Sequence, residues 1–147
     1  MTLLRTTICV TGVFIAVGFA AAQAGGPIPT CQLAIEVNAL RGGSPTVTVN
    51  EPKNITAKAR IEKGSAPGGT TFSTTLRIEA FDASGVINTR TSGPHLLEVG
   101  KGGTGDKFGM ILPQCSGGTI DFVATFFGTD TNGALCEGSR TINKTCK

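Results

Sequence analysis

The chain contains no tryptophan, no tyrosine and only one histidine, and beyond Ala22 it has no long apolar run. Each absence excludes something. Sugars and single-stranded nucleic acids are held on flat aromatic platforms, and without Trp or Tyr no such face is visible. Zinc and copper sites of the usual kind take three or four His, Cys or carboxylate ligands, so no metal and no other cofactor is expected. A Ser or Cys nucleophile needs a neighbouring base, and the sole imidazole, His95, follows Pro94 in what reads as a polar loop. His95 is therefore expected to be solvated and receives no role. With 13 basic residues against 10 acidic ones, scattered rather than run together, nothing steers the chain toward nucleic acid.

What the chain does have begins with an export signal. Arg5 precedes an apolar run from Ile8 to Ala22, which breaks at the small-residue triplet Ala22-Gln23-Ala24. Cleavage is expected after Ala24, and the run, interrupted by Thr11, Gly12 and Gly18, is a poor membrane span. The C-terminus, Asn143-Lys144-Thr145-Cys146-Lys147, carries no hydrophobic tail for a lipid anchor. The mature chain, residues 25–147, is expected to be secreted or periplasmic and to carry no membrane span. Its length suits one domain. Loss of Arg5 leaves a charge of about +2. Only Cys9 of the five cysteines departs with the signal; the remaining four are an even set in an exported chain, so two disulfides are expected.

Period two dominates the mature sequence, and alternate side chains on a strand point to opposite faces. Leu33, Ile35, Val37 and Ala39 form the inward set of a first strand, and Ile55, Ala57, Ala59 and Ile61 that of another. Between them Thr46-Val47-Thr48-Val49, flanked by Pro45 and Pro52, reads as an edge piece continuing the first strand's sheet. Thr75 to Phe81 and Val86 to Thr91 flank Asp82-Ala83-Ser84-Gly85 as a hairpin. A loop is expected from Ser92 to Gly105, then a strand with Phe108, Met110 and Leu112 alternating up to Pro113. Thr119 to Thr129 is the strongest strand, with Ile120, Phe122, Ala124 and Phe126 inward. Asn132-Gly133 is the dipeptide favoured in two-residue turns, and a last strand runs from Leu135 to Thr145. The predicted fold class is all-β, a two-sheet antiparallel sandwich of about seven strands.

In this rhythm the mature chain resembles immunoglobulin-like and fibronectin III-like domains, although the inward Trp of antibody domains is missing. Four cysteines allow three connectivities, and spacing does not choose among them. A two-residue turn at Asn132-Gly133 places residue 131 opposite 134 and Cys146 opposite Thr119, the end that Cys115 approaches. In an immunoglobulin-like sandwich the first strand starts at the other end and runs parallel to the last, which brings Cys31 beside Cys136. The resemblance and this topology imply the bridges Cys31 to Cys136 and Cys115 to Cys146.

Four further motifs carry bland readings. Gly100-Lys101-Gly102-Gly103-Thr104-Gly105 spells G-x-G-x-x-G, yet dinucleotide binding needs a helix to start there and Phe108 to Pro113 reads as a strand. Asp130-Thr131-Asn132-Gly133 resembles the opening of a calcium loop but lacks the later carboxylate, and a turn accounts for it. Glu79 with Asp82, or Asp121 with Asp130, could share acid and base roles, though surface charge is the simpler reading. The sequons Asn54-Ile55-Thr56 and Asn143-Lys144-Thr145 suit a glycosylated eukaryotic protein, but about one would arise by chance in so Thr-rich a chain. What is left is a non-enzymatic interaction or structural module that meets a protein partner through loops or an edge strand. A surface-fibre subunit and a hydrolase with a carboxylate site are the alternative expectations.

Overall fold

The computed structural model describes residues 25–147, so the expected export signal and its cleavage point lie outside the described residues. Alternating apolar and polar residues give eight strands: β1 (Ile35–Arg41), β2 (Thr46–Val47), β3 (Pro52–Ile61), β4 (Thr71–Asp82), β5 (Gly85–Glu98), β6 (Thr104–Ile111), β7 (Thr119–Thr129) and β8 (Leu135–Cys146). They form two sheets, ordered β1-β3-β6 and β2-β8-β7-β4-β5. Every pairing is antiparallel except that of β2 with β8.

The core lies between the inward faces, as the alternation requires. Ile55, Ala57, Ala59 and Ile61 of β3 face Leu76, Ile78 and Ala80 of β4 and Ile120, Phe122, Ala124 and Phe126 of β7, all essentially inaccessible to solvent. Burying each large member stabilises the fold by about 1.5–3 kcal/mol before conformational entropy is charged against it. Both expected disulfides are present, Cys31–Cys136 with Cα atoms 5.1 Å apart and Cys115–Cys146 with Cα atoms 6.4 Å apart. No helix among the described residues is long and apolar enough to cross a membrane.

Four local expectations are corrected. In β1 the register shifts between Glu36 and Ala39, so the inward series passes from Val37 to Leu40 and not to Ala39. The piece at Thr46–Val47 does not continue the first strand's sheet. It crosses to the other one, where Thr46 and Val47 run parallel to Thr145 and Cys146, while β1 itself bonds to β3. The segment from Ser92 to Glu98 is strand and not loop: β5 passes through a register shift opposite Thr74 and Leu76 and pairs on to Thr71↔Glu98. Pro94 is tolerated there because β5 is an edge strand, with no neighbour on its far side to miss the N–H.

The fourth correction concerns the last hairpin. Asp130 N–H donates to Ala134 O at 2.9 Å and Gly133 N–H to Asp130 O at 3.0 Å, so the loop has three residues, not two. Gly133 ends it with φ of 84°, a left-handed conformation that glycine adopts without penalty. Pairing therefore runs Thr129↔Leu135 to Thr119↔Thr145, one residue out from the expected Thr119 opposite Cys146. The second bridge still forms because Cys115 reaches it from the loop before β7, not from a paired position.

Candidate functional site

Three connections and the N-terminal segment gather at one end of the sandwich. They are the β3–β4 loop (62–70), the β5–β6 loop (99–103) and the β7–β8 loop. Bonding between them fixes this end. Val99 N–H donates to Thr70 O at 3.0 Å, and Gly69 N–H to Val99 O at 3.4 Å, tying the first loop to the second. The N-terminal segment is held by the Cys31–Cys136 bridge and by Asp130, whose Oδ2 accepts from Gln32 N–H at 3.3 Å.

Asp130 has a structural task, which explains its place in the turn. Its Oδ1 accepts from the backbone N–H of Asn132 at 3.1 Å and of Ala134 at 2.9 Å, the bonds of an Asx turn. Sγ of Cys31, Sγ of Cys136 and a carboxylate oxygen of Asp130 lie within 4.8 Å of one another. The two sulfurs are bonded to each other, however, so they are not thiolate ligands.

Two hollows open beside the β3–β4 loop. The larger, about 720 Å³, is lined by Glu36, Arg60, Glu62 and Lys63 on one side and by Gly100 to Gly102 on the other. Arg60 Nε donates to Glu36 Oε2 at 2.6 Å, a bond that raises the guanidinium pKa above its ordinary value. The smaller, about 240 Å³, has Phe72, Leu33 and Pro67 against Thr70, Asp130 and Thr131. The glycine-rich motif thus forms a wall of an open hollow. It is followed by strand β6, not by a helix, so its amides are not arrayed as a helix N-terminus would array them around a phosphate.

The carboxylates do not associate as the sequence pairs suggested. Glu79 lies 3.2 Å from Arg77 on the outer face of the five-stranded sheet, a charge contact in which Arg77 Nε makes no properly angled hydrogen bond. Asp121 and Asp130 stand toward opposite ends of β7, about 30 Å apart at about 3.3 Å per residue. The pair that shares a hollow, of about 230 Å³ at the far end of the sandwich, is instead Asp82 and Asp121. Both are committed to the fold. Asp82 accepts from the Ser84 hydroxyl at 2.5 Å, Ser116 N–H at 2.8 Å, Ser84 N–H at 2.7 Å and Gln114 Nε2 at 3.2 Å. These donors, the Ser84 hydroxyl foremost, hold its pKa well below the ordinary carboxylate value, the reverse of what a general acid needs. Asp121 accepts from Asn143 Nδ2 at 2.7 Å.

His95 is not the solvated loop residue its neighbours suggested. It lies half-buried on β5, edge-on to Phe126 with ring centroids 6.0 Å apart, and its Nε2 is 2.9 Å from Ser92 Oγ. Sequence spacing missed this Ser-His contact because the register shift in β5 creates it. Among the described residues no carboxylate bonds the imidazole, and none of the three hollows is lined by it. Of the sequons, Asn54 is exposed on β3 and Asn143 is exposed on β8. The four sheet edges are blunted. β2 has two residues, β1 and β5 carry register shifts, and β6 directs Asp106 to the side of the sheet that faces the core. Compared with known proteins, the chain matches no family model and no curated sequence.

Proposed function

We propose that the protein is an exported, non-enzymatic interaction module that meets a protein partner through the loop end just described. The observation that carries this reading is the convergence of three loops on two open hollows, cross-bonded and anchored by the Cys31–Cys136 bridge. Loops on a rigid scaffold are where sandwich domains place recognition. The strand order supports an immunoglobulin-like assignment, since β1 bonds β3 while β2 runs parallel to the last strand. The two disulfides favour a secreted or periplasmic location. Recognition through loops is preferred to recognition through an edge strand, because each edge carries a device that discourages strand addition.

The test is retention of a partner by immobilised protein 25–147, taken from the fluid that surrounds the native cell. Lys63→Glu combined with Thr131→Arg, one change at each hollow, should abolish retention. Glu51→Ala at the opposite end should leave it intact. Equal loss in both variants, or none in the loop variant, refutes the loop end as the site.

A further inference from the structure

The two outer faces of the sandwich carry opposite charge. On the three-stranded face, opposite residues share a side, which places Arg41, Lys58, Arg60 and Lys107 outward with the single acid Glu36. On the five-stranded face Glu79, Glu98, Asp121 and Glu137 stand outward against the single base Arg77. One face is net +3 and the other net −3. Small residues, Ala39, Thr56, Gly105 and Gly109, surround the charges of the basic face, while on the acidic face Phe81 lies opposite Asp121 and Phe127 opposite Glu137, with Thr75, Thr125, Ser139 and Thr141 around them.

Spacing agrees as well. Lys58 and Lys107 are one strand and two residues apart, since Lys107 lies opposite Thr56. Asp121 and Glu79 stand in the same relation, since Glu79 lies opposite Val123. Strand separation and rise make both distances about 8 Å. From this match we infer that the basic face of one copy docks on the acidic face of a second copy of this chain. Such a contact is heterologous: each copy keeps one unused face, so the array stays open unless its rotation happens to close a ring. The smaller face measures about 14 Å by roughly 25 Å, well under the about 800 Å² per partner of a standard interface, so the contact is weak and sensitive to salt. Glu36 and Arg60 belong both to this face and to the rim of the larger hollow, but the inference does not depend on the loop-end proposal.

The test is sedimentation of protein 25–147 between about 10 µM and about 1 mM, in about 20 mM and about 500 mM salt. Wild type should associate progressively at low salt and revert to monomer at high salt. Lys58→Glu with Lys107→Glu, and separately Asp121→Lys with Glu137→Lys, should each be monomeric, with circular dichroism confirming that they fold. Mixing the two variants brings an intact basic face to an intact acidic one, and their two reversed faces also carry opposite sign, so the mixture should regain association at low salt. Wild type that stays monomeric at low salt overturns the inference. So does association of either variant alone, or a mixture of the two that stays monomeric.

Discussion

At the scale of single residues, Phe122 shows how tightly a position in this core is specified. It is fully buried at mid-strand in β7, opposite Ala80 and Ile142. Phe122→Ala should cost about 3–5 kcal/mol in denaturant melts, because the cavity cannot collapse. Asp82 acts through pH. Its folded-state pKa lies below the ordinary 3.8, so its bonds stabilise the fold fully above that value, and the contribution is lost as pH falls through it toward the folded value. Urea melts should show Asp82→Asn less stable than wild type at about pH 6, with the gap narrowing steadily from about pH 4 to about pH 2. Gly105 is constrained by proximity: a Cβ added there would run into the Ala57 carbonyl oxygen of the paired strand. Gly105→Ala should therefore loosen β6 from β3 at a cost of about 1–3 kcal/mol, read as faster amide exchange along both strands.

At the scale of elements, the β7–β8 hairpin depends on Gly133. Gly133→Ala forces a side chain into left-handed backbone and should cost about 1–2 kcal/mol in thermal melts. Replacing Cys31 and Cys136 together by Ala should cost about 2–5 kcal/mol, with the N-terminal segment gaining protease sensitivity. What the sequence made legible at this level was alternation, since inward and outward sets differ in chemistry over whole strands such as β3 and β7. Extra residues were not legible. The shift between Glu36 and Ala39 and the third residue of the hairpin loop change register without changing composition. The strand from Ser92 to Glu98 was not legible either, because Gly93-Pro94 is a strong local breaker that only an edge strand accommodates. The loop end was illegible altogether. Residues 62–70, 99–103 and 131–133 share no motif and meet only because the sheet order brings their strands to one end.

At the scale of the whole molecule, the disulfides both terminate on β8, at its second residue, Cys136, and its last, Cys146. The consequence is mechanical. Tension entering ahead of Cys31 crosses the first bridge directly to Cys136, travels along β8 and leaves after Cys146, by-passing everything between. The 105-residue separation spanned by that bridge is sheltered, a reserve of about 350 Å of contour at about 3.4 Å per residue. Since β8 is already extended, the oxidised domain should lengthen by almost nothing when pulled at residues 25 and 147 in single-molecule force spectroscopy, whether or not its sheets come apart. Reduction of both bridges should release the full reserve, whereas loss of Cys31–Cys136 alone leaves the chain between Cys115 and Cys146 sheltered, so the oxidation state of two bonds on β8 decides whether the domain behaves as a taut cord or as a slack one.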